Sequence, residues 1–94
     1  MDQLITANRS KIRKLARLHR IRRLRLFGSM SRDSAASESD VDLIADLEAE
    51  GTLLDLGAFL MDLQDLLGRP VQVVTEGSLH PAIRSGALRD AVDL

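Results

Sequence analysis

Apolar and polar positions alternate along this chain with two different periods. In residues 2–20, Ile5, Ile12, Leu15 and Ala16 fall on one stripe and basic side chains fill the rest of the surface, the pattern of an amphipathic helix. From residue 21 to 27 the period shortens to two: Leu24 and Leu26 point one way, Arg23 and Arg25 the other, as in a strand. Gly28-Ser29 stops that run. Residues 29–39 are small and polar, with room for one helical turn and a loop. Alternation returns over 40–47, with Val41, Leu43, Ala45 and Leu47 on one face and Asp40, Asp42 and Asp46 opposite. Gly51 breaks the chain, Thr52 is a good N-cap, and 53–67 predict a strongly apolar helix with Leu53, Leu56, Leu60, Leu63 and Leu67 as its core stripe. Gly68 and Pro70 end it. A short third strand follows at 71–75, then helical turns over 79–91 starting at Pro81. The order implies an α+β fold, a small mixed β-sheet packed with helices.

At 94 residues, 1–94 is expected to form a single domain with one modest core. Apolar residues at 45% and charged residues at 29% are ordinary globular values and exclude a disordered chain. No internal repeat, low-complexity tract or linker is visible. The aromatic residues are Phe27 and Phe59 alone, which disfavours base stacking as a binding mode. The net charge of −1 conceals a split. Residues 1–25 carry nine Lys/Arg and one acid, whereas 26–94 carry four Arg and thirteen acids, an asymmetry that suggests a charged partner or site. Without cysteine there is no disulfide and no thiolate metal site, which fits a reducing cytoplasm. The start, Met-Asp-Gln-Leu, lacks the layout of a signal peptide, and no run approaches 18 apolar residues, so no membrane association is expected.

The informative pair is Asp40 and Asp42. Two residues apart on a strand, they share a face with Cα atoms about 6.6 Å apart. Carboxylates so placed can share one or two divalent cations, and all-oxygen ligands favour Mg²⁺ over Zn²⁺. Solvent-facing acids at a strand's start also occur without any metal. Gly28-Ser29 is the second element: a glycine after a strand lets backbone N–H groups approach a phosphate, and Ser29 adds a hydroxyl. By itself the same pair is also a plain turn. A Walker-type loop is excluded because no Gly-Lys-Ser/Thr follows. The order strengthens both signals: strand, Gly-Ser, Arg32, then Ser39-Asp40-Val41-Asp42-Leu43 on the next strand. A phosphate grip and an acidic pair would then share one end of adjacent strands.

Gly28-Ser29, Arg32 and Ser39-Asp40-Val41-Asp42-Leu43, together with Leu66-Leu67-Gly68-Arg69 and the stretch from Val73 to Pro81, resemble the polymerase-β-like nucleotidyltransferase superfamily, and within it the minimal nucleotidyltransferase (MNT) group. The resemblance covers nearly the whole chain. It implies the α+β nucleotidyltransferase fold and transfer of a nucleoside monophosphate from a nucleoside triphosphate, with Mg²⁺, to an acceptor hydroxyl. By position, Gly28, Ser29, Arg32 and Ser39 would hold the nucleotide, and Asp40 and Asp42 the metal. It further implies a HEPN ribonuclease toxin as partner, neutralised by addition of AMP from ATP to a tyrosine. Two positions depart from the family pattern. Gln72 occupies the place of a third carboxylate: its amide oxygen can ligate Mg²⁺ but carries no charge, so a slower chemical step is expected. Asp33 follows Arg32 where the family often has glycine. The alternative to an adenylyltransferase is therefore a degenerate MNT protein that works by binding its toxin.

The remaining features carry less. The basic first quarter could bind nucleic acid, a reading disfavoured against a solvated helix face, and Arg23 and Arg25 could instead meet an acidic partner. His19 reads as half-buried packing, His80 as a cap or turn residue, and Asp46 as exposed. The leucine-rich helix is too short for a coiled coil but leaves room for an oligomer or toxin interface.

Overall fold

A computed structural model describes residues 2–28 and 40–94. Helix α1, Gln3–Leu18, begins where the Asp2 carboxylate accepts the Leu4 N–H at 2.8 Å, satisfying one of the donors a helix start leaves free. His19 closes it, and Arg20, with φ of 60°, turns the chain into strand β1, Ile21–Phe27. Strand β2, Val41–Leu47, lies antiparallel to β1. Helix α2, Leu53–Leu67, starts where the Asp55 carboxylate accepts the Thr52 N–H at 2.8 Å. It ends at Gly68, whose φ of 64° suits a residue without Cβ. Strand β3, Val71–Val74, returns parallel to β2. A 3₁₀ turn at Glu76–Ser78, helix α3 at Pro81–Asp90 and the two-residue strand β4, Val92–Asp93, complete the chain. Among the described residues the sheet order is β3-β2-β1-β4, with β4 antiparallel to β1.

One sheet face forms the main core. Leu24 and Leu26 of β1, Val41, Leu43 and Ala45 of β2 and Val71 of β3 pack with Ile5, Ile12 and Ala16 of α1 and Leu56, Phe59, Leu63 and Leu67 of α2. The α2 stripe is corrected in two places. Leu53 lies in the first turn and is 78% exposed, and Leu60 is only partly buried. Phe59 takes the central place with no exposed surface, because its ring covers more of the sheet than a leucine could. The expected stripe of α1 holds, with Leu15 at its margin.

The second sheet face is covered along part of its length. Ile44, on the Asp42 side of β2, and Leu79 are buried outside the main cluster. The polypeptide from the 3₁₀ turn through α3 packs against β1 and β2 there. Arg25 of β1 is 8% exposed, with its guanidinium 3.2 Å from Glu76 and 3.5 Å from Asp46. Asp46 is thus drawn into an ion-paired cluster and is not exposed as its position on a polar face suggested. Arg23 binds Asp93 at 2.9 Å, so both arginines find their acids within the chain. Strand β4, absent from the reading of the sequence, is tied down by this pair and by the Leu94 N–H donating to the Leu24 carbonyl at 3.0 Å.

Candidate functional site

Three strands bring the site together through their register. Phe27 of β1 lies opposite Asp42 of β2, and Asp42 lies beside Gln72 of β3. Gly28, the next residue after Phe27, has φ of 76°. A Cβ built there would fall 2.8 Å from the Asp42 carboxylate, closer than nonbonded atoms approach. Two physical needs meet at this glycine: a left-handed backbone, which costs an L-residue about 1–2 kcal/mol, and space for a carboxylate against the main chain.

Asp40 stands immediately before β2 and is exposed, whereas Asp42 is half-buried. Burial pushes the Asp42 carboxyl above its ordinary value, and the nearby Asp40 charge adds to the rise. No cation of the described residues offsets either effect. Gln72 is exposed beside Asp42 and adds an amide oxygen. Among the described residues no cluster of three or more His, Cys, Asp or Glu could hold a metal. The donor set is therefore two carboxylates and an amide, all hard oxygens, which fits Mg²⁺ chemically. A divalent cation would relieve both the repulsion between the acids and the desolvation of Asp42.

Of the residues singled out from the sequence, the structure brings Gly28, Asp42 and Gln72 together with Asp40 at their rim. Ser29, Arg32, Asp33 and Ser39 lie outside the described residues. His19 packs under the helices, 2.6 Å from Asp62 through Nε2 and with its ring 6.2 Å from that of Phe59. His80 caps α3, its Nδ1 accepting the Ala82 N–H at 3.0 Å. Both agree with their expected packing and capping roles. The Arg25–Asp46–Glu76 cluster, on the same sheet face as Asp42, escaped sequence reasoning: alternation placed Arg25 and Asp46 on polar faces, but only the strand register brings them together.

A model of the nucleotidyltransferase domain matches residues 9–94. The chain belongs to the nucleotidyltransferase domain family. Within that family it is 32% identical to the protein adenylyltransferase MntA of Thermococcus cleftensis, over 98% of this chain and 90% of that one. It is 34% identical, over 81% of this chain and 82% of the relative, to the Methanocaldococcus jannaschii protein MJ0435, also named as a protein adenylyltransferase. A solved structure described as a minimal nucleotidyltransferase superposes with a TM-score of 0.86 at 38% identity, covering 100% of this chain and 97% of that one. A toxin–antitoxin structure solved with AMP-PNP superposes at 0.75 over 92% of this chain and 71% of its own, at 22% identity, a likeness of fold. The expected α+β nucleotidyltransferase fold is the one found. No helix of the described residues is long and apolar enough to cross a membrane.

Proposed function

We propose that this nucleotidyltransferase-family chain transfers AMP from MgATP to a side-chain hydroxyl of a partner toxin and thereby silences it, with a HEPN toxin as the partner and a tyrosine as the acceptor. The observation that carries the reading is the Asp42 carboxylate seated against Gly28, beside Gln72 and within reach of the Asp40 charge. The names of the adenylyltransferase relatives support the donor and the reaction. The toxin–antitoxin neighbours, one of them solved with AMP-PNP, support the class of partner. Residues 1–94 are read as one nucleotidyltransferase domain acting in the cytoplasm, where ATP is available.

In this reading Asp40 and Asp42 hold Mg²⁺, which when bound neutralises charge on the triphosphate. Gly28, lacking a side chain, lets a phosphate approach the main chain closely, and Ser29, Arg32 and Ser39 complete the nucleotide grip. The acceptor oxygen bonds to the α-phosphorus as the α–β phosphoanhydride breaks; pyrophosphate leaves and the hydroxyl proton passes to solvent. Gln72 accepts no proton, so this step lacks the general base that a third carboxylate would supply.

The same glutamine favours a second reading, in which the chain masks its toxin without transfer. Incubation with α-labelled ATP, Mg²⁺ and a HEPN toxin separates the two. Transfer predicts label on the toxin that disappears in Asp40→Ala and Asp42→Asn, together with loss of neutralisation. If no label moves and Asp40→Ala still neutralises the toxin, adenylyl transfer is wrong and masking accounts for the function.

A further inference from the structure

The outer surface of α1 carries a feature that the catalytic reading leaves unused. On one side, Leu15 and Leu18 of α1 and Leu66 of α2 line an apolar groove of about 440 Å³ rimmed by Lys11 and Lys14. On the other, a cleft of about 290 Å³ between α1 and β1 has Ala16, Ile21 and Leu24 in its floor and Arg13, Arg17 and Arg22 at its rim. Leu18, in the α1–α2 groove, is 71% exposed. The five basic side chains are exposed, and none forms an ion pair among the described residues. Each apolar floor is flanked by unpaired cations, and the two share no lining residue: the groove lies against α2 and the cleft against β1.

The geometry points to the groove between α1 and α2 as a docking site for an acidic amphipathic helix of a partner protein. Charge complementarity selects an acidic occupant, and the leucine-lined floor selects one with an apolar stripe. Nucleic acid meets the charge but not the floor, since a phosphate backbone gains nothing from buried leucines and no aromatic ring is present to stack a base. The α1 residues of the groove, Lys11 to Leu18, span about 10 Å, room for two turns of a partner helix with leucines at i, i+4 and i+7 and glutamates beside them. The docking surface lies on the helical side of the sheet and Asp42 on the other, so a partner bound here leaves the candidate site uncovered. The inference is independent of adenylyl transfer.

The test uses the whole protein and a fluorescein-labelled helical peptide of about 18 residues with that leucine and glutamate pattern, followed by anisotropy. Saturable binding is expected, weakened about tenfold by Leu18→Glu and by Lys11→Glu/Lys14→Glu, with both variants keeping the thermal midpoint of the parent. Raised salt should weaken it further. No binding, or equal binding of a peptide with the same composition and a scrambled pattern, overturns the inference. So does tighter binding of an RNA of equal charge. Concentration-dependent self-association in sedimentation that Leu18→Glu abolishes would assign the surface to a second copy and overturn it as well.

Discussion

Gly28→Ala probes the candidate site through two separable effects. The first is conformational. At φ of 76° an alanine pays the left-handed penalty, about 1–2 kcal/mol, which for a chain of this length lowers the Tm by about 4–16 °C. The second is local. The new Cβ would lie 2.8 Å from Asp42 Oδ2, and ordinary contact begins near 3.4 Å. The carboxylate, at the end of a short side chain, has to retreat by about 0.6 Å or rotate away; misplacement on this scale at a reacting centre costs about tenfold to a hundredfold. The clash falls on a movable side-chain oxygen, so folding survives while the site is disturbed. Three measurements check the reasoning: thermal unfolding by circular dichroism, Mg²⁺-dependent ATP binding by calorimetry, and the Asp42 carboxyl titration by NMR without metal. Once Asp42 swings into solvent, its raised pKa should fall toward the ordinary 3.8. Gly28→Asn separates the effects, because asparagine tolerates the left-handed region better but carries the same Cβ: a smaller loss of Tm and the same loss of binding are expected. If Gly28→Ala binds MgATP as the parent does and Asp42 titrates unchanged, the close approach of backbone and carboxylate has no role in the site.

Asp42→Asn should stabilise the metal-free chain at neutral pH by about 0.5–2 kcal/mol while abolishing Mg²⁺ binding. The carboxyl pKa is raised in the fold, so its charge costs stability above that pKa and nothing below the unfolded value. The Tm difference in EDTA should therefore close as pH falls through this range, and a constant gap from pH 8 to pH 3 would contradict it. Arg25→Met should destabilise by about 2 kcal/mol in urea unfolding, below the full cost of breaking a buried pair. The cost is lower because Glu76 reaches solvent and the Arg25 Nε already lacks a partner; a loss under 0.5 kcal/mol would mean the cluster holds nothing. Gln72→Asp should tighten Mg²⁺ binding and raise the transfer rate, measured with labelled ATP. An unchanged rate would show that the residue beside Asp42 is not the third-carboxylate position.

The long elements were legible because periodicity and punctuation agreed. Residues 21–27 alternate and then meet Gly28; residues 53–67 lie between Thr52 and Gly68, each with a mechanism for starting or stopping a helix. Face assignments on β2 followed from the pleat alone. What could not be read depends on register and size. Ile44, between Asp42 and Asp46 on the same face, is buried, and the segment from the 3₁₀ turn through α3 is what packs on that face. Phe59 takes the place expected of Leu60 between Leu56 and Leu63: i+3 and i+4 both fit the helical period, and the larger side chain fills the centre of the core. Strand β4 is two residues long, too short for any period to register. At the candidate site, the sequence order placed Gly28 and the acids at one strand end, while the contact between Gly28 and Asp42 needed the β1–β2 register.

The basic first quarter looked like one electrostatic block, and the fold divides it by function. Arg23 and Arg25 sit on the sheet face that also bears Asp42, yet they are committed to Asp93, Asp46 and Glu76. Those pairs hold the C-terminal segment across that face and close its Arg25–Asp46 end. The acidic pair stands at the other end, beside Gly28, and no cation of the described residues neutralises it. On α1 the reverse holds: Lys11, Arg13, Lys14 and Arg17 have no acid of the described residues to meet. The near-zero net charge thus conceals an acidic pair on one side of the sheet and an unpaired basic helix face on the other. The proposed cation at Asp42 and the proposed acidic helix along α1 would each supply the charge that the described residues do not.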